Sequence, residues 1–170
     1  MKFLALPMDL PRRRVFYEPE HSFADEEFLM AEIKSDYVKP LENALEDGTP
    51  CVLGTVSADN KPGISPKGSI IVYDSGHLAF WERSHRAAAG NIASNAQVVV
   101  YYRNSEHAES LPQGGALRLY GTASVIEDAA VTTDVYDRMC EREQKADSGR
   151  KGHAVMIAID RITNLRGDDV

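Results

Sequence analysis

Cysteine is nearly absent: two residues in 170, Cys51 and Cys140, far apart and without a CxxC pair. That scarcity excludes a disulfide-stapled scaffold and a zinc ribbon, and we expect two reduced thiols in a cytoplasmic protein. Tryptophan is rarer still, with Trp81 alone. Basic residues are outnumbered, 19 Lys and Arg against 26 Asp and Glu, for a net charge of −7. So acidic a chain is not expected to take nucleic acid as a partner. Its one basic run, Arg12-Arg13-Arg14, has the length of a solvated surface patch. Long apolar runs are missing as well. No segment approaches the roughly 18 residues that span a bilayer, so no membrane partner is expected. In the opening "MKFLALPMDLPRRR" the basic residues follow a broken apolar stretch, the reverse of a signal peptide.

What is present suits one domain with a real core. Residues 1–20 carry three prolines without a period, which reads as an extended arm. From Ser22 to Val38, Phe28, Leu29, Ile33 and Tyr37 recur at helical spacing, and Pro40 ends that helix or opens a second. We expect residues 1–47 to be an N-terminal arm and helix packed on a barrel domain of residues 48–170.

Beyond Pro50 the pattern is one of strands. They are expected at 51–57, 62–74, 77–82, 97–103, 116–127 and 153–160, with helices at 85–94 and 129–147. The "ADNK" hairpin wants positive φ at Asn60, and Pro66 cannot donate to a ladder, so its strand belongs at an edge or a bulge. Leu117, Leu119, Ala123 and Val125 alternate with Arg118, Tyr120, Thr122 and Ser124, leaving one face wet or lined by a ligand. Short turns between the first strands exclude a doubly wound sheet. The fold class is therefore mainly β with peripheral helices, a six-stranded antiparallel split β-barrel.

Chemistry gathers where the third strand hands over to a helix, in "FWERSHRAAAGNIASN". Ser84 stands at the N-cap, where its hydroxyl and the free N–H groups of the first turn suit an anion. Arg86 adds a guanidinium, and His85 a further donor beside it. Asn91 follows one turn on. "GISPKGS" on the preceding strand puts Ser65 and Lys67 on one face, flanked by Pro66 and Gly68. Phe80 and Trp81 offer an apolar surface beside them. The competing reading is a solvated strand edge and a helix capped by serine. The five histidines, His21 among them, show no i,i+4 or HxH spacing, so no metal site is expected. No nucleophile–base or carboxylate pair stands out, and no catalytic residue is assigned.

The order of "LGTVSADNKPGISP", "GHLAFWERS", "GNIASNAQV", "ALRLYGTASVIED" and "KGHAVMIAIDRITNLRG" resembles the pyridoxamine 5′-phosphate oxidase-like family of FMN-binding split barrels, over roughly residues 40–167. The resemblance implies FMN held between the subunits of a homodimer. Ser65, Pro66, Lys67 and Gly68 would run along the flavin, and Phe80 and Trp81 would pass it by their backbone. Ser84, His85 and Arg86 would meet the phosphate, with Asn91 in support. True oxidases of the family end with a tryptophan-containing signature and an Arg-x-His for the pyridoxal substrate. Here the only tryptophan is Trp81 and the chain ends "NLRGDDV", so a true pyridoxamine phosphate oxidase is not expected. The implied activity is that of an oxidoreductase acting on an unidentified small molecule, with NAD(P)H as a candidate electron donor. A non-catalytic flavin-binding or flavin-sensing protein, and a haem or deazaflavin binder on the same scaffold, are the alternatives.

Overall fold

A computed structural model describes residues 31–83 and 87–170. The stretch expected to be helical from Ser22 lies outside the described residues as far as Met30. Helix α1 spans Ser35–Glu42 and runs through Pro40, which neither ends nor starts a helix. Tyr37, Pro40 and Leu41 are its buried residues, so tertiary packing outweighs the one backbone donor that proline lacks.

The strands are β1 (Cys51–Val56), β2 (Pro62–Lys67), β3 (Ile71–Asp74) and β4 (His77–Glu82), then β5 (Gln97–Arg103), β6 (Ala116–Val125) and β7 (His153–Thr163). Seven strands stand where six were expected, because the predicted strand at 62–74 is divided at residues 68–70. All neighbours are antiparallel, in the order β2-β1-β5-β6-β7-β4-β3. Consecutive strands β2 and β3 thus lie at opposite edges of one sheet. From Lys67 to Ile71 the chain reaches at most about 14 Å, whereas six strand spacings laid flat would take roughly 29 Å. The sheet must therefore curl until its edges approach each other. No ladder joins β2 to β3, so the barrel is not closed. At the seam Ser69 substitutes for a ladder: its hydroxyl donates to the Trp81 carbonyl at 3.2 Å and accepts from the Trp81 N–H at 3.1 Å.

Alternation divides every strand between two faces. Cys51, Leu53, Leu78, Phe80, Val98, Val100, Tyr102, Leu117, Leu119, Val155 and Ile157 fill the interior. A bulge between Tyr120 and Gly121 shifts the β6–β7 register so that Ile159 and Ile162 both face inward. The outer face of β3, β4 and β7 carries Ile71, Ala79, Trp81 and Ala154, packed under Val135, Tyr136 and Met139 of the α4 region. Helix α4 spans Ala129–Arg138 and α5 spans Glu141–Ala146. The single helix expected at 129–147 is broken at Met139 and Cys140, both of which adopt extended backbone. The Gln144 amide donates to the carbonyls of Tyr136, Asp137 and Met139, satisfying groups that the end of α4 leaves open. Helix α2 (Ala87–Ser94) places Ile92 in the interior cluster, and a short α3 (Pro112–Gly115) leads into β6. No helix among the described residues is long and apolar enough to cross a membrane.

Candidate functional site

Where the sheet edges fail to meet, a cleft of about 380 Å³ opens. Ser65 to Ser69 form one wall and Trp81 to Arg83 another, with Glu143 and Ala146 of α5 across from them. Lys67 sits opposite Cys51 in the β1–β2 register, and Ser65 opposite Leu53, so both share the inward face. Glu82 follows Leu78 and Phe80 in phase and faces inward too. Lys67 and Glu82 form an ion pair with side chains 10% and 2% exposed. Burial at that depth requires such pairing, since either charge alone would lose several kcal/mol of hydration. The Lys67 ammonium also stands 4.8 Å from the centre of the Phe80 ring. Ser65 supplies the unusual feature: its Oγ is fully buried with no hydrogen-bond partner. Buried hydroxyls are nearly always satisfied, so an unsatisfied one in a cleft wall marks a place for a polar guest.

The expected site residues do not all converge. Ser65, Pro66, Lys67, Gly68 and Trp81 line the cleft. The Phe80 ring is fully buried in the interior. Trp81 turns the other way: it packs edge-on against Tyr136 with centroids 5.1 Å apart, and its indole N–H donates to Asp147 at 2.8 Å. Neither ring is presented as a stacking surface, and the backbone of Trp81 is engaged by Ser69. Asn91 donates to Thr55 Oγ1 at 2.9 Å, fastening α2 to the barrel. Thr55 lies four residues along β1 from Cys51, the partner of Lys67, so Asn91 and Lys67 stand about 13 Å apart along the strand. Ser84, His85 and Arg86 lie outside the described residues.

The pyridoxamine 5′-phosphate oxidase family model matches residues 39–165. The chain belongs to that family. No curated protein matches it. Among solved structures it is similar to HupZ of Group A Streptococcus, with 22% identity, a TM-score of 0.61 and coverage of 81% of this chain and 99% of that one. An FMN-binding protein from Syntrophomonas wolfei shares 9% identity at a TM-score of 0.58, covering 75% and 85%. An F420 reductase shares 19% at 0.53, covering 77% and 98%. At these identities the likeness is one of fold.

Three residues of this family member, Glu82, Ser69 and Glu143, were not singled out from the sequence, whereas Arg83 stood in the polar turn read there as suited to an anion. Glu82 carried a signal, a charge in phase with two inward apolar residues. Ser69 was hidden inside an apparently continuous strand. Arg83 and Glu143 meet only through the tertiary fold, with Arg83 Nη2 lying 3.4 Å from Glu143 Oε2. Burial pushes the Cys51 thiol up to about 12, against a thiolate. His77 and His107 pair with Asp74 and Asp47 away from the cleft. Among the described residues no cluster of three or more His, Cys, Asp or Glu is placed to hold a metal.

Proposed function

We propose that the chain binds FMN in the seam cleft and serves as a flavin-dependent oxidoreductase on a small molecule. The carrying observation is the unpartnered Ser65 hydroxyl beside the buried Lys67–Glu82 pair, in a cleft left by the unpaired sheet edges. These groups fit the polar part of a flavin nucleotide. Ser65 would hold it by hydrogen bonding, with Pro66, Lys67 and Gly68 alongside and the segment Ser84 to Arg86 taking the phosphate. The flavin itself would supply the electron or hydride transfer, while the protein positions it. Phe80 and Trp81 then act by fixing the strand rather than by stacking, and Asn91 by anchoring α2.

In this reading a second copy of the chain completes the site. The outer face of β2, β1, β5 and β6 supports this homodimer. Val52, Val99, Tyr101 and Tyr120 are only partly buried there, and Ile64 is 82% exposed. A second reading, a deazaflavin in the same cleft, draws on the fold shared with an F420 reductase.

An absorption spectrum of the purified protein, before and after addition of FMN, tests the cofactor. Flavin bands that shift on binding support the reading. A colourless protein indifferent to FMN overturns it, a deazaflavin spectrum selects the second reading, and a Soret band assigns the cleft to haem. Turnover of NADH or NADPH by the holoprotein then separates an enzyme from a flavin sensor.

A further inference from the structure

Arg83 is the first residue after β4, and the groups it faces are acidic. Glu143 approaches it at 3.4 Å, and Asp147 is near enough for the guanidinium to help hold that carboxyl below its usual range. The two members of the Arg83–Glu143 pair are unequally placed, the arginine side chain being 45% exposed and the glutamate 10%. Glu143 has been carried into the cleft wall, where its carboxylate rests on the backbone of Gly68. A Cβ at position 68 would stand 2.7 Å from Glu143 Oε1 and 2.8 Å from Leu45 Cδ2.

Helix α5, which delivers Glu143, is fastened to α4 instead of the sheet. The Gln144 amide bonds the last carbonyls of α4, and the Tyr136 hydroxyl donates to the carbonyls of Gln144 and Asp147. The other acid of this helix that forms an ion pair, Glu141, meets Lys145 in the open, with side chains 79% and 70% exposed. Helix α5 thus offers the cleft one carboxylate, aimed at its one exposed cation among the lining residues.

We propose that Arg83 is an anion-binding residue of the cleft and that Glu143 is its internal competitor. An anionic ligand group, in the first instance a phosphate monoester, pairs with Arg83 by displacing the Glu143 carboxylate into water. The choice of phosphate rests on the flavin nucleotide reading, whereas the competition itself rests on Arg83, Glu143 and Gly68. An intramolecular anion acts at an effective concentration on the order of millimolar. Free phosphate at lower concentration is therefore excluded, and only a ligand with further contacts in the cleft displaces Glu143. The tether makes the site selective for a phosphate attached to something.

The test uses the full chain and its single tryptophan. Trp81 lines the cleft and is bonded to Asp147, the residue after α5, so its fluorescence reports movement there. Inorganic phosphate and FMN are titrated separately into the wild type, Glu143→Gln, Glu141→Gln and Arg83→Ala, alone and combined with Glu143→Gln. Glu143→Gln is expected to tighten phosphate and FMN by about three- to tenfold, the scale of removing one competing ion pair. Glu141→Gln is expected to change neither, and in the Arg83→Ala background the gain from Glu143→Gln disappears. Unchanged or weaker binding in Glu143→Gln overturns the proposal, as does an equal gain in Glu141→Gln, which would be a general charge effect. A gain for phosphate without FMN binding removes the flavin reading and leaves the competition standing. FMN binding at equal affinity in wild type and Glu143→Gln does the reverse. If Glu143→Gln does not fold, Arg83→Ala decides alone: unchanged phosphate and FMN affinity overturns the anion-binding role.

Discussion

The outer surface of the sheet has two halves that are finished differently. Over β3, β4 and β7 it is roofed by α4, and Trp81, Tyr136 and Met139 are all buried. Over β2, β1, β5 and β6 no described helix lies on it. Yet Val52, Val99, Tyr101 and Tyr120 line it, and Val99 lies so close over Gly54 that a Cβ there would meet it at 2.7 Å. Both halves are made from the same alternation of strand residues, and both carry apolar side chains outward. Arg118 and the bonded pair Gln97–Thr122 share that open face, so it is a mixed surface whose apolar part is of the kind a partner can cover. The first half is completed within the chain; the second is what the homodimer proposed above would cover.

The sharpest way to break the comparison is to remove an anchor of the roofed half. Trp81→Ala deletes a side chain only 4% exposed, along with its contact to Tyr136 and its bond to Asp147. A loss of about 3–5 kcal/mol is expected, read by urea denaturation followed by circular dichroism. A loss below about 1 kcal/mol would show that α4 does not depend on it. The matching change on the open half is Ile64→Asp. At 82% exposure its cost to the isolated fold stays within about 0.5 kcal/mol, but a charge on the face of the proposed homodimer is expected to halve the mass seen by light scattering. A wild type that is already monomeric, or a variant that stays dimeric, removes this face as the interface.

The strand pattern was legible because period-2 alternation is a local property. The hairpin came with it, since Asn60 adopts φ 61° as its turn demands. Pro66 also lies on an edge strand, where its missing donor costs nothing. The division of β2 from β3 was not legible, because "GSIIVYD" continues the apolar run and nothing local announces that the sheet edges meet there. Gly68 marks the spot for a tertiary reason, the crowding of Leu45 and Glu143 against it. The same holds across the cleft. Ser65 and Lys67 could be found from their shared face, and Glu82 could have been. Glu143, in a charged helix, has no periodic signature, and its burial follows from how Gln144 folds α5 back on α4. The inward turn of Phe80 and outward turn of Trp81 were implied by alternation, but proximity to the polar turn suggested rings free to stack.

The finest probe of the roofed half is acid, through Asp147. Its carboxyl is held below the ordinary 3.8, first by the hydrogen bond from the Trp81 indole and then by the backbone N–H of Lys151. A carboxyl lowered on folding contributes stability that is present above its unfolded pKa and is lost as pH falls through the folded value. The clasp between Trp81 and the 147–152 loop is therefore intact at neutral pH and gives way only below the usual carboxylate range. Asp59 and Asp74 are lowered as well, so global stability declines over the same window. For Asp74 burial works in the opposite direction, and the His77 hydrogen bond and its charge help reverse it. Only the Asp147 component involves the single tryptophan, so its emission isolates that step from the others. Asp147→Asn should cost about 1 kcal/mol at pH 7 and remove the acid step from Trp81 emission while leaving the fall in global stability. An identical acid step in the variant would detach Asp147 from Trp81, and the roof would then be held by the packing of Tyr136 and Met139 alone.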